Sequence, residues 1–141
     1  MFHIDEVLRR VNPNDSCKMK HSEVLIVDDE QRYADMLARR LGLRGIECTV
    51  RYDGQTAVDT IADRFFPLTV LDLRLPDMYG TDVLIQIKKR WPLAEVVILT
   101  GHGTDLDRER CLAEGALAFF NKPADSDRLV QIANQIKKKS A

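Results

Sequence analysis

Short runs of apolar residues alternate along this chain with segments whose apolar residues recur every three or four positions. In the first run, Val24 to Val27, every residue is apolar, and further strand candidates follow at 46–51, 68–71, 96–99 and 116–120. A strand without polar residues is typical of a sheet that is covered on both faces. The segments between these runs have the apolar spacing of amphipathic helices. We therefore predict five strand–helix units.

Turn-forming residues separate several helical segments from the next strand, as Gly42, Gly45, Pro67 and Pro92 do. The segment at 104–114 is helical in character but weakly apolar, which predicts a loosely held helix. The apolar positions of the other helices are Ala34, Leu37, Ala38 and Leu41; Val58, Ile61, Ala62 and Phe65; Val83, Leu84 and Ile87; and Leu129, Ile132, Ala133 and Ile136.

Strands that alternate with helices pair in parallel, and the helices cover both faces of the sheet. The crossover between two parallel strands is right-handed in almost all proteins. We therefore predict an α/β fold with an open, doubly wound sheet, in either the Rossmann-like or the flavodoxin-like strand order. In both orders ligands bind beyond the carboxyl ends of the strands, so the residues that follow each strand are the candidates for function.

The length and charge of the chain limit its function further. It has 141 residues, the size of a single domain, and its 21 basic and 22 acidic residues leave a net charge of −1. That balance argues against broad capture of nucleic acid or of an anionic membrane. The cysteines, Cys17, Cys48 and Cys111, form no metal-ligand pattern and suit a reducing compartment. We expect a cytoplasmic domain.

Residues 1–22 differ in pattern from the rest of the chain. The apolar residues between Ile4 and Val11 lie on one face of a short helix, which Pro13 ends. A helix of this length is marginal alone, so the segment is either a tail or an element for docking or dimerisation. We predict an N-terminal extension at 1–22 and one domain at 23–141.

Polar side chains follow four of the five predicted strands. Asp28 and Asp29 come directly after the first strand, Asp72 follows the third, Thr100 follows the fourth and Lys122 follows the fifth. In the flavodoxin-like order these strands are neighbours, so the residues would form one site. Three carboxylates repel one another, and one lysine cannot neutralise them, so a cation is expected among them. Oxygen ligands of this kind favour Mg²⁺.

Four short motifs carry a resemblance to a known family. They are Val-Asp-Asp-Glu at 27–30, Asp-Leu-Arg-Leu-Pro-Asp-Met-Tyr-Gly at 72–80, Leu-Thr-Gly-His-Gly at 99–103 and Asn-Lys-Pro at 121–123. Over 23–138 the chain resembles the receiver domain of two-component response regulators. The resemblance implies a flavodoxin-like, doubly wound, five-stranded parallel sheet in the order 2-1-3-4-5, with helices on both faces.

The resemblance also implies the chemistry of the residues at the strand ends. Asp72 is the expected phosphoacceptor, which takes a phosphoryl group from a phosphohistidine of a partner kinase. Mg²⁺ is expected to bind Asp29 and Asp72 directly, together with the backbone carbonyl of Arg74. Asp28 is expected to act on the metal through water, and Lys122 is expected to pair with a phosphoryl oxygen.

Further residues are expected to respond to the phosphoryl group or to modulate it. By the resemblance, Thr100 donates its hydroxyl proton to a phosphoryl oxygen, and Phe119 is similar to the aromatic residue that turns inward in response. We expect Arg74 and His102 to tune the access of water. Gly101 is expected to keep the approach open, because a larger side chain would crowd the acceptor.

The function that the resemblance implies is a signalling switch, which catalyses only its own phosphorylation and dephosphorylation and is not a metabolic enzyme. The expected partners are a sensor histidine kinase or phosphotransfer protein, a downstream output protein or output domain, and a second copy of the chain after phosphorylation. Direct contact with nucleic acid or with a membrane is not expected.

Other functions compete with this interpretation. The first alternative is a receiver-like docking or scaffold module that does not use phosphate, although the intact set of acidic, hydroxyl and lysine residues argues against it. A flavin-binding electron carrier of the same topology would need a phosphate-binding loop after the first strand, where the acidic run 28–30 would repel a phosphate. A phosphohydrolase would need a second general acid or base, which the sequence does not offer.

Overall fold

The structure, a computed structural model, describes residues 23–122 and 126–140. The predicted N-terminal helix and Cys17 lie outside these residues. The strands are β1 Val24–Val27, β2 Cys48–Arg51, β3 Leu68–Leu71, β4 Glu95–Thr100 and β5 Ala118–Asn121. The helices are α1 Gln31–Gly42, α2 Gly54–Asp63, α3 Gly80–Arg90, α4 Asp105–Ala113 and α5 Ser126–Ser140. None of these helices has the length and apolar character that a membrane span requires.

The strands form one parallel sheet in the order β2-β1-β3-β4-β5, which confirms the predicted flavodoxin-like fold. Val27 at the end of β1 pairs with Leu71 at the end of β3, and Leu71 pairs with Ile98 of β4. In the ladder between β4 and β5, the last pair joins Thr100 to Asn121. The residues that follow these strands therefore lie together beyond the carboxyl ends of the strands, at one end of the sheet.

Alternate residues of the strands face opposite sides of the sheet, and helices cover both sides. Val24 and Ile26 belong to the apolar cluster under α1 and α5, whereas Leu25 and Val27 belong to the cluster under α2, α3 and α4. This burial of both faces explains why β1 contains no polar residue. Helix α4 contributes one buried residue, Cys111, which agrees with its weakly apolar sequence.

Apolar residues at three of the predicted boundaries lie outside the elements to which their pattern assigned them. Ile46 was assigned to the second strand, but its backbone N–H donates to the Leu41 carbonyl at the end of α1, and β2 begins later. Ala116 was assigned to the fifth strand, but its N–H donates to Cys111 of α4. Phe65 lies beyond the end of α2, where it packs against another aromatic ring.

The loop between β3 and α3 is held by contacts at both of its ends. Asp77 accepts hydrogen bonds from the backbone N–H groups of Gly54 (2.8 Å) and Gln55 (2.9 Å), the first residues of α2. These bonds, led by the one from Gly54, lower the pKa of Asp77. Gly80 lies against the backbone of β3: a methyl group there would overlap the Asp72 carbonyl oxygen and lie 2.8 Å from the Leu73 Cα.

We predict that Gly80→Ala destabilises the domain by about 1–3 kcal/mol, because backbone atoms cannot move aside as a flexible side chain can. Urea denaturation followed by circular dichroism measures the change. Gly42→Ala is the matched control, since a methyl group at Gly42 meets no atom within 4 Å. Equal stability of the two variants would contradict the close approach at Gly80.

Candidate functional site

The candidate site is built on the first residues beyond β1 and β3. The backbone N–H of Asp72 donates to the Val27 carbonyl (2.9 Å), and the N–H of Asp28 donates to the Arg51 carbonyl (3.0 Å). The ladder hydrogen bonds thus continue one residue past each strand and fix both aspartates beside each other. Carboxylate oxygens of Asp28, Asp29 and Asp72 all lie within 4.8 Å of one another.

The three aspartates differ in their access to water. Asp28 and Asp72 are each 4% exposed, whereas Asp29 is exposed. Buried carboxylates without a compensating charge are costly, so this arrangement needs a cation close by. In the described residues that charge comes from Lys122, which follows β5.

Lys122 reaches three carboxylates with one ammonium group. Its Nζ lies 2.6 Å from Asp28 Oδ2, 3.0 Å from Glu30 Oε1 and 3.2 Å from Asp72 Oδ2. The backbone of Lys122 is fixed as well, because its N–H donates to the Thr100 carbonyl (3.0 Å). The lysine side chain is 7% exposed.

Burial and charge shift the pKa values in this cluster. Desolvation raises the pKa of Asp28 from 3.8 to about 6, although hydrogen bonds from Lys122 and from the Glu30 backbone N–H act in the opposite direction. Desolvation lowers the pKa of Lys122, but its hydrogen bond to Asp28 and the charge of Asp72 outweigh that effect, so its pKa is raised. The lysine therefore stays protonated throughout the pH range in which Asp28 titrates.

The other oxygen of Asp72, Oδ1, is buried and has no hydrogen-bond partner among the described residues. An unpaired buried carboxylate oxygen costs free energy unless a ligand or an ion completes its environment. Together with the oxygens of Asp28 and Asp29, it offers the hard, anionic donor set that Mg²⁺ prefers. The residues present therefore fit a divalent cation.

Thr100 is fully buried at the end of β4. Its Oγ1 accepts a hydrogen bond from the backbone N–H of His102 (3.3 Å). Because the hydroxyl oxygen is an acceptor in that bond, its proton is left to donate elsewhere. Gly101 and His102, directly after Thr100, are exposed, and so is Arg74, two residues after Asp72.

Phe119 is buried and lies against the loop after β4. A methyl group at Gly103 would overlap Phe119 Cζ, and it would also lie 2.7 Å from Phe119 Cε1 and 2.9 Å from Thr100 Cγ2. The aromatic ring thus occupies space that exists because residue 103 has no side chain. At Gly101, by contrast, a methyl group meets no atom within 4 Å, so the protein itself leaves this position open, and the expected crowding of the acceptor by a larger side chain stays a prediction.

Three residues of the site were missed by the sequence analysis. Glu30 contacts Lys122, the Tyr33 ring centroid lies 4.7 Å from the same ammonium, and Gly103 makes room for Phe119. The available signal for Glu30 and Tyr33 was their place in the chain, directly after the aspartates that follow β1. Gly103 gave no such signal, because its role depends on where a distant ring lies.

The comparisons with known proteins agree on one family. The family model described as response regulator receiver domain matches residues 24–134. The luminescence regulatory protein LuxO of Vibrio campbellii is 34% identical over 114 residues, which cover 80% of this chain and 25% of LuxO. The DNA-binding transcriptional regulator NtrC of Escherichia coli is 32% identical over 118 residues, 83% of this chain and 25% of NtrC. The chain belongs to the response regulator receiver domain family.

Solved structures support the same assignment. The receiver domain of NtrX from Brucella abortus has a TM-score of 0.73 and 33% identity, and the match covers 82% of this chain and 98% of that one. A CheY-like receiver domain protein from Methanospirillum hungatei has a TM-score of 0.77 and 28% identity, with 85% and 97% covered. The chain spans about a quarter of the length of the curated regulators that it matches. Its family indicates a role in two-component signalling.

The raised pKa of Asp28 predicts a pH-dependent stability in EDTA. Because the folded-state pKa lies above the ordinary value, this carboxyl group contributes stability that is complete below pH 3.8 and is lost as the pH rises through about 6. Asp28→Asn removes the charge, so we expect the variant to be more stable than the parent at pH 7, by on the order of 1 kcal/mol. The difference should shrink on acidification towards pH 4. Urea denaturation across this range tests it, and a difference that does not change with pH would contradict the shift.

The steric fit at Gly103 predicts a second change in stability. Gly103→Ala should cost about 1–3 kcal/mol of unfolding free energy, because the rigid ring of Phe119 must move. Gly101→Ala is the control in the same loop. If Phe119 is the neighbour that matters, the cost of Gly103→Ala should fall in a Phe119→Leu background, and purely additive free energies would refute the coupling.

Proposed function

We propose that this receiver domain is a phosphorylation-dependent switch, which accepts a phosphoryl group on Asp72 in the presence of Mg²⁺. The observation that carries the proposal is the asymmetry of the Asp72 carboxylate. One oxygen, Oδ2, is held by Lys122, and the other, Oδ1, is buried without a partner beside Asp28 and Asp29. Lys122 thus orients the carboxylate through Oδ2, and Oδ1 is the oxygen whose environment a ligand or an ion would complete.

The proposed reaction moves a phosphoryl group from a phosphohistidine of a kinase or phosphotransfer protein. An oxygen of Asp72 attacks phosphorus, the P–N bond breaks, and the imidazole of the donor leaves with the electron pair. Asp29, Asp72 and the backbone carbonyl of Arg74 would hold Mg²⁺, and Asp28 would support it through water. The metal supplies neutralisation of the phosphoryl charge.

Lys122 and Thr100 would bind the transferred group, since both can donate to phosphoryl oxygens. The free hydroxyl proton of Thr100 suits this role. Phe119 shares the space beside Thr100 and Gly103, so movement of Thr100 would change the packing of the ring. The phosphoryl group would then favour one of two arrangements of this region.

The proposed partners follow from the class of protein. A sensor histidine kinase or phosphotransfer protein would supply the phosphoryl group, and an output protein or output domain would respond, with a second copy of the chain as a further partner after phosphorylation. Exposed leucines at Leu106, Leu112 and Leu117 give the α4–β5 side apolar surface for such contacts. The site of action would be the cytoplasm, and residues 1–22 would form an extension to the domain.

We expect the mass of the intact protein to rise by one phosphoryl group after incubation with acetyl phosphate and Mg²⁺. Asp72→Asn should abolish the gain, and chelation of the metal should prevent it. Asp77→Asn is the matched control in the same motif: Asp77 binds backbone N–H groups of α2, outside the cluster, and its loss should leave phosphorylation in place.

An equal gain of mass in the Asp72→Asn variant would contradict the assignment of the acceptor. No gain in the parent, together with no binding of beryllofluoride, would instead favour the phosphate-independent docking module. Nuclear magnetic resonance spectra of the parent with beryllofluoride and Mg²⁺ separate these outcomes, because a competent site should shift the signals of residues at the strand ends.

A further inference from the structure

The ammonium group of Lys122 has no spare proton to donate. A lysine ammonium carries three N–H donors, and the three carboxylates of Asp28, Glu30 and Asp72 lie 2.6, 3.0 and 3.2 Å from Nζ. A phosphoryl group on Asp72 would bring new acceptor oxygens to this ammonium. Because Asp72 is no longer a free carboxylate once it carries that group, a first phosphoryl oxygen can take its place on the ammonium, and a second can bind only where Asp28 or Glu30 releases an N–H donor.

The three carboxylates differ in what the loss of Lys122 would cost them. The side chains of Asp28 and Asp72 are 6% and 4% exposed, so water could not readily replace the lysine there. The Glu30 side chain is 58% exposed, and water can solvate its carboxylate when the lysine moves away. Glu30 is therefore the partner that Lys122 gives up at the lowest cost.

Tyr33 adds a second contact from the same part of the chain. Its ring centroid lies 4.7 Å from Lys122 Nζ, within the range of a cation–π interaction. Glu30 is the residue directly before α1 and Tyr33 lies in the first turn of that helix, so both contacts with Lys122 come from the start of α1. The backbone N–H of Glu30 also donates to Asp28 Oδ1 (2.9 Å), which fixes this turn to the site.

We propose that Glu30, assisted by Tyr33, holds the Lys122 ammonium in the unphosphorylated domain and competes for it with the phosphoryl group. Glu30 is a positioning residue in this scheme, because it acts on the reacting atoms through Lys122. Loss of its contact leaves Lys122 free to bind the phosphoryl oxygens and so stabilises the phosphorylated form. The inference rests on the proposed function, since it needs a phosphoryl group or its mimic at Asp72.

The test measures the dissociation constant of beryllofluoride, a phosphoryl mimic, for the full chain with saturating Mg²⁺. Glu30→Gln should bind it about two- to fivefold more tightly than the parent, which is the range that the loss of an exposed ion pair converts to. The half-life of the phosphoryl group on Asp72, followed by intact mass, should lengthen in the same variant.

A second substitution separates the contact from the charge. Glu30→Asp keeps the negative charge but shortens the side chain by one methylene, which withdraws the carboxylate from Lys122. We expect it to bind beryllofluoride more tightly than the parent, as Glu30→Gln does. If Glu30→Asp binds like the parent while Glu30→Gln binds more tightly, general electrostatics explains the effect and the proposal is wrong. Glu109→Gln, an exposed substitution on α4, controls for the change in net charge.

The ring of Tyr33 is tested in the same assay. Tyr33→Leu should tighten binding, and Tyr33→Phe, which keeps the ring, should lie closer to the parent. A metal-free readout comes from nuclear magnetic resonance spectra in EDTA: the signals of the Lys122 ammonium group should shift in Glu30→Gln, because the contact at 3.0 Å is lost. Unchanged Lys122 signals would show that Glu30 does not hold the ammonium.

The outcomes for the two proposals differ. If the parent and both Glu30 variants bind beryllofluoride with the same affinity, Glu30 does not hold Lys122. The proposed phosphorylation of Asp72 would not be affected by that result. A parent that neither binds beryllofluoride nor gains a phosphoryl group would overturn both, because nothing then competes for Lys122. Thermal denaturation of each variant verifies that the compared proteins are folded.

Discussion

The arrangement of the whole site depends on one constraint, which is that two buried carboxylates share a single ammonium group. Asp28 and Asp72 end neighbouring strands in the middle of the sheet, while Lys122 follows the strand at its edge. The backbone N–H of Lys122 donates to the carbonyl of Thr100 at the end of β4, which fixes the point from which the lysine side chain reaches both carboxylates. A shift in the register of any of these strands would leave a buried charge without a partner, so the pairing of the strands and the electrostatics of the site support each other.

Close approaches of the backbone set the shape of the site around these charges. Gly80 lets the loop after β3 lie directly on the Asp72 carbonyl, and Gly103 lets the Phe119 ring lie beside Thr100. In both places the missing side chain is what permits the contact. The chemistry of the site therefore depends on residues that carry no functional group, as well as on those that do.

The sequence predicted the fold and the central residues because both follow from patterns that are local. β1 and β3 were predicted with the bounds that the structure gives them, since β1 lies between Glu23 and Asp28, and β3 lies between Pro67 and Asp72. The ends of other elements were not predicted correctly, because Ile46 and Ala116 are apolar whether they belong to a strand or to the turn before it. The contact between Glu30 and Lys122 was not predicted either: a glutamate before a helix reads as an exposed residue, and its partner is 92 residues away.

The loop after β3 and the helix α4, which lie on opposite sides of the site in the order of the strands, are attached to the rest of the domain by different numbers of contacts. The loop after β3 is fastened to α2 by two backbone hydrogen bonds to Asp77, whereas α4 is attached to the core mainly through Cys111. The cost of local displacement rises with buried contacts and hydrogen bonds, so the first side is stiff and the second is compliant. Under the proposed function, we expect strain that arises at Asp72 to relax towards α4 and β5, so the direction in which the site would act on its surroundings follows from how the two sides are attached.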